Sequence, residues 1–155
     1  MRETFDFSIT YHQLVVYDEG TVAVPKNDWT ERHIEQGFSW RPGCVTFETL
    51  EDLGALRVEV LLAEDLEVSS EATRAIVVPF GVSAAGCVGL WDIADVTSAH
   101  VPSGGYALLA EMGYLNRKEG EEAEWCRLTF VAGRNVQPEI LRADEQLSPQ
   151  YPLLV

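Results

Sequence analysis

The sequence predicts an all-β protein, an antiparallel β-sandwich of about eight strands with one short helix at about residues 29–36. Three observations carry that prediction. Apolar residues recur mostly at every second position, the spacing that sends alternate side chains to one face of a strand. Turn signals separate the apolar runs at short intervals. Helical segments do not alternate with the strands, which argues against a βαβ architecture.

The elements follow in order. Phe5, Phe7, Ile9 and Tyr11 alternate with polar residues; then the register changes, with Gln13 on the apolar side and Leu14 and Val16 on the other. A β-bulge, or a strand covered on both faces, would produce that change. The turn "DEG" at 18–20 leads through "TVAV" at 21–24 to "NDWTERHIEQGF" at 27–38. There Asp28 and Glu31 have the spacing of a capping box, and Gly37 is placed to end the helix in a left-handed conformation. A helix of about two turns is marginal alone, so it is expected to lean on the strands through Trp29 and Ile34.

"RPG" at 41–43 reads as a turn, and Val45 and Phe47 begin the next alternation. Leu56, Val58, Val60 and Leu62 form the clearest strand, with Arg57 and Glu59 facing the other way. An acidic connection, "EDLEVSSE" at 64–71, precedes the strand "ATRAIVVPF", where Pro79 marks an edge or an end because it cannot donate to the ladder. Weaker strands at 86–93 and 95–101 are followed by the turn "PSGG", a strand at 106–115, a charged loop at 116–124 and a strand at 125–133. Residues 134–155 read as a C-terminal extension that docks one further strand near 136–141. No linker or repeat divides the chain, so residues 1–155 are expected to form a single β-sandwich domain.

Composition narrows the function classes. Eleven basic residues against 25 acidic ones give a net charge of −14, a field that repels nucleic acid and attracts cationic partners. Direct nucleic-acid binding and a membrane span are therefore not expected. Three separated cysteines without a C-x-x-C pair fit reduced core thiols, and the start of the chain lacks the pattern of a signal peptide; a cytoplasmic location follows as the expectation.

Catalytic motifs are missing. His12, His33 and His100 share no metal-ligand spacing, and no nucleophile elbow, P-loop or dinucleotide fingerprint occurs. His12 reads as a hydrogen-bonded structural histidine. The acidic stretch at 64–67 is too poor in convergent oxygens for calcium and reads as a solvated loop. Neither a cofactor nor a metal is expected, and the protein is not expected to be an enzyme. Of the four tryptophans, Trp91 and Trp125 fall in strand patterns, whereas Trp29 and Trp40 flank the helix, where an interface role competes with packing.

"ITYHQLVVYD" leading into "NDWTERHIEQGF", then "VTFETL", "IVVPFGV" and "VPSGGYALLAEMGYL", in this order, resembles the competence protein J family of DNA-entry nuclease inhibitors. The similarity covers roughly residues 5–131. The resemblance implies a non-enzymatic, immunity-type inhibitor that binds and blocks a metal-dependent DNase, its acidic surface standing in for phosphate. On residue type and position, the partner-binding candidates are Asp28, Trp29, Glu31, Glu35, Trp40, Asp18 and Glu19. In the competing view the helix only plugs one end of the sandwich. The alternative function is a ligand-binding module for sugar, or assisted by calcium, without catalytic activity.

Overall fold

A computed structural model describes residues 2–92, 95–115 and 123–155. Eleven strands and one helix are described: β1 (Arg2–Ile9), β2 (Gln13–Asp18), α1 (Glu31–Gln36), β3 (Phe38–Arg41), β4 (Cys44–Glu48), β5 (Gly54–Ala63), β6 (Arg74–Val82), β7 (Cys87–Trp91), β8 (Val96–His100), β9 (Gly104–Tyr114), β10 (Ala123–Ala132) and β11 (Glu139–Arg142). They form a six-stranded sheet, β1-β5-β10-β9-β6-β11, and a five-stranded sheet, β3-β4-β2-β7-β8. All neighbours are antiparallel except β5 and β10. The expected all-β sandwich is thus observed, with more strands than the alternation suggested; residues 116–122, most of the charged loop, lie outside the described residues.

The inner faces supply the core. Phe7, Leu56, Val58, Val60, Cys126, Leu128, Phe130, Ile76 and Val78 of the larger sheet meet Leu14, Val16, Phe38, Val45, Phe47, Val88 and Leu90 of the smaller one. Period-two alternation in β2, β4 and β5 places these side chains inward, as the two-residue repeat of a strand requires.

The register change after Ile9 is a crossing between sheets rather than a bulge. β1 ends in the larger sheet and β2 begins in the smaller, with His12 at φ 61 between them. The His12 carbonyl accepts Thr49 N–H at 2.9 Å, and its own N–H donates to Asp52 O at 3.3 Å. These bonds hold a left-handed residue whose conformation costs about 1–2 kcal/mol.

Carboxylates close the seam between the edge strands β1 and β8. Asp92 accepts Thr10 N–H at 3.1 Å and Thr10 Oγ1 at 2.9 Å; Asp95 accepts Ser8 N–H at 2.9 Å; Glu3 accepts His100 N–H at 3.1 Å. Edge amides that would otherwise be open to pairing with another chain are occupied by side chains.

The connection at 64–71 is not simply a solvated loop. Leu66 and Val68 pack on Ala75, Val77, Ala107, Leu109 and Val131 over the outer face of the larger sheet, while Glu111 accepts Ser69 N–H at 2.6 Å. Two apolar residues spaced by one were enough to dock an otherwise acidic segment. Pro79 sits beyond the β11 pairing, where β6 becomes an edge, as its missing N–H demands.

Candidate partner-binding surface

The helix begins two residues later than the Asp28 frame predicts. Thr30 is the N-cap, with φ −108 and ψ 175, and His33 takes the place of the usual Glu or Gln three residues on. Thr30 N–H donates to His33 Nδ1 at 3.1 Å. Both Asp28–Glu31 and Thr30–His33 have capping-box spacing; the later pair is the one that forms, and side-chain bonds tie down the chain ahead of it. Asn27 Nδ2 donates to Ser39 O at 2.8 Å and Cys44 O at 3.0 Å, while Arg41 Nε donates to Asn27 Oδ1 at 2.8 Å. Gly37 closes α1 with φ 81, and its N–H donates to the His33 and Ile34 carbonyls.

The helix leans inward on His33 and Gln36, not on Ile34, which is exposed. Trp29 contributes indirectly by stacking on the His33 ring at 6.2 Å and 13°. Burial holds the His33 imidazole below its ordinary range, so it is neutral at pH 7 and its Nδ1 is free to accept.

Residues 144–154 cross the other side of α1. Ser148 N–H donates to Glu35 O at 2.9 Å. Gln36 imitates a strand backbone: Nε2 donates to Leu154 O at 3.2 Å and Oε1 accepts Leu154 N–H at 2.9 Å. Arg32 donates to Pro152 O at 3.0 Å and lies 5.1 Å from the Tyr151 ring centroid. The Leu147 side chain fills the space over Gly37, where a Cβ would stand 2.6 Å from Leu147 Cδ2. The segment is anchored upstream by Asp144, whose two oxygens accept Arg74 Nε and Nη2, each at 2.9 Å.

The seven candidates do not form one patch. Asp28 and Glu31 are exposed, and Glu35 is half-buried under Ser148. Trp29 opens onto a groove over the outer face of the five-stranded sheet, with Tyr11 and Trp91. Trp40 lies elsewhere, lining a separate hollow with Asp28, His33 and residues 154–155; its Nε1 donates to Pro79 O at 2.8 Å and so joins the two sheets. Glu19 accepts a bond from Ser98 Oγ.

Asp18 corrects the expectation most clearly. It is 2% exposed and shapes the inside of a turn rather than presenting a surface charge. Thr21 Oγ1 donates to it at 2.7 Å and Ser83 Oγ at 3.0 Å. Burial works to raise its pKa, but the bonds from Thr21, Ser83 and the Gly20 backbone prevail and hold it below the usual 3.8. "DEG" marked a turn correctly; its aspartate is consumed by that turn.

Pattern reading passed over the ionic groups at the end of the sandwich where both sheets meet. Arg74 is fully buried among Asp144, Gln146 Oε1 at 3.0 Å and Glu48 O at 2.9 Å. Glu124 accepts Leu50 N–H at 3.1 Å and Glu51 N–H at 3.0 Å. Burial pushes its carboxyl up to about 7, against the pull of those amides and of Arg74. Nearby, His12 Nδ1 is 3.0 Å from Asp52 and 3.6 Å from Glu48, and its Nε2 is buried without a partner. His12 is thus held through one ring nitrogen only, at the crossing between the two sheets. Among the described residues, no three His, Cys, Asp or Glu side chains are arranged to hold a metal ion, and no helix is long and apolar enough to cross a membrane.

Comparison with known proteins completes the description. The family described as competence protein J (ComJ) matches residues 6–131. A DNA-entry nuclease inhibitor of Bacillus subtilis (strain 168) is 29% identical over 103 residues, spanning 66% of this chain and 76% of that protein. The crystal structure of ComJ from Bacillus subtilis, described as an inhibitor of the DNA degrading activity of NucA, superposes with a TM-score of 0.64 at 21% identity, over 83% of this chain and 96% of that one. A structure described as crocagin biosynthetic gene J gives a TM-score of 0.55 at 13% identity, over 86% and 99% of the two chains. At those identities the two structures speak for the fold alone.

Proposed function

From the premise that the chain belongs to the competence protein J family, we propose that it is a proteinaceous inhibitor that binds a metal-dependent DNase of the DNA-entry kind and blocks its DNA-degrading activity. The family match carries this reading, together with a relative that is named a DNA-entry nuclease inhibitor rather than for an enzymatic activity of its own. Physics supplies the mode. A DNase binds phosphates in a cationic groove, so a protein of net charge −14 is drawn toward it and its carboxylates occupy positions that phosphate oxygens would take.

The exposed Asp28 and Glu31, with the half-buried Glu35 beside them and Glu19 farther off, are the acidic groups we assign to this contact; Trp29 follows Asp28 in the chain, and Trp40 shares a separate hollow with Asp28. Asp18 acts behind this surface, by holding its turn. Three free cysteines suit a reducing, cytoplasmic compartment.

The test is the double substitution Glu31→Lys with Glu35→Lys. It should slow association with a purified NucA-type DNase at least about tenfold at 0.05 M salt and flatten the salt dependence, because charges at a rim act mainly on the association rate. Unchanged kinetics in a folded variant would remove the helix from the phosphate-mimicking surface.

A further inference from the structure

Residues 147–154 supply α1 with bonds that the helix cannot make for itself. α1 has six residues, and a helix that short is marginal in water unless its surroundings hold it. Its last carbonyls are the weak point, because no following turn donates to them. Gly37 N–H donates to those of His33 and Ile34, whereas that of Glu35 accepts Ser148 N–H at 2.9 Å. Gln36 is 2% exposed, and Leu154 completes its amide: Nε2 donates to Leu154 O at 3.2 Å and Oε1 accepts Leu154 N–H at 2.9 Å. A buried amide deprived of those partners is costly. Arg32 Nη2 donates to Pro152 O at 3.0 Å beside the Tyr151 ring. Half of the helix, Arg32, Glu35 and Gln36, is thereby tied to one segment.

That segment is fixed independently of the helix bonds. Leu147 is buried in the core between the sheets, and Leu153 packs against the same core. Residues 147–155 include no charged side chain, so the segment adds nothing to the electrostatic attraction of a partner. It also lies beyond residue 131, where the family match ends.

Resting on the inhibitor reading, we infer that residues 147–154 are a positioning strap: by keeping α1 formed in the free protein, they hold Glu31 and Glu35 in the arrangement that meets the nuclease. The helix is then ordered on folding and not on binding, which raises affinity without a new contact. Were α1 formed only part of the time, the apparent dissociation constant would rise by the inverse of the formed fraction. The strap acts through α1, and the affinity it confers belongs to this chain beyond the matched core.

The experiment uses the full chain with Tyr151→Ala and Leu154→Pro combined, which removes the ring beside Arg32 and the N–H that Gln36 Oε1 accepts while Leu147 and Leu153 stay in place. NMR of the α1 amides gives the helix-formed fraction, hydrogen exchange of β9 reports the intact fold, and titration of a purified NucA-type DNase gives the dissociation constant at low and moderate salt. The formed fraction should fall about tenfold and the dissociation constant rise by the same factor. Salt dependence should match the wild type, since no charge changes, and saturating nuclease should restore the helix. Tyr151→Ala alone, at a ring 65% exposed, should give the same paired effects at about threefold, and it decides the matter if the double variant does not fold. Weaker binding with α1 still formed makes the strap itself the contact and overturns the inference. Tighter binding makes it a cover and does the same. Unchanged binding, whether α1 is lost or stays formed, also overturns it and leaves the inhibitor reading standing. A wild type that binds no such nuclease removes both.

Discussion

Replacing Glu124 by glutamine should remove most of one pH-dependent component of stability. Glu124 is completely buried, and burial raises its carboxyl from the ordinary 4.5 to about 7. Below pH 4.5 the group is protonated in both the folded and unfolded chain and costs nothing. Between pH 4.5 and 7 the unfolded chain releases the proton while the folded one retains it, so stability falls as pH rises. Above pH 7 both forms are ionised and the cost levels off at about 3 kcal/mol. Between pH 5 and pH 8 the wild type should therefore lose about 2.5 kcal/mol through this group alone.

The glutamine amide of the variant offers one oxygen to the two N–H groups of Leu50 and Glu51, so the variant carries a constant penalty of about 1 kcal/mol at every pH. Urea unfolding of both proteins at pH 5 and pH 8 separates the two effects. Glu48, also raised by burial, titrates in both proteins and drops out of the difference. Asp18 has the opposite sign and acts below pH 3.8, outside the window. The wild type minus variant difference should move by about 2.5 kcal/mol toward the variant on going to pH 8. A difference that stays constant would refute the placement of Glu124 as a buried, proton-retaining carboxyl.

Further outcomes follow from the same contacts. Arg74→Met leaves Asp144 and Glu48 without their buried cation and should cost about 3–5 kcal/mol in urea unfolding, the range for breaking rather than replacing a buried pair. Leu147→Ala empties the space over Gly37 and should cost about 2–4 kcal/mol. Hydrogen exchange in that variant should show the α1 amides losing protection before those of β9, since residues 144–154 hold the helix from outside.

The legible part of this fold is the part governed by period two. β5, with Leu56, Val58 and Val60 inward and Arg57 and Glu59 outward, could be read directly, as could Gly37 at the helix end. β3 escaped notice because Phe38–Arg41 is too short to show alternation beside a helix and a turn. The crossing at His12 resembled a bulge because both shift the apolar register by one; only tertiary pairing tells them apart. The site was harder still. Charge and aromatic type suggested Trp29, Asp28 and Glu31, but nothing local joins Tyr11 to Trp91, 80 positions later, and nothing local reveals that Asp18 turns inward. Contacts of that kind arise from sheet order, which a one-dimensional pattern does not contain.

The central claim is tested most directly by following the degradation of plasmid DNA by a purified, active NucA-type DNase while this protein is titrated in. The account predicts loss of activity that reaches completion near equimolar protein and is accompanied by a complex on size exclusion. Full DNA degradation at excess protein, by a nuclease encoded beside this chain, would contradict it.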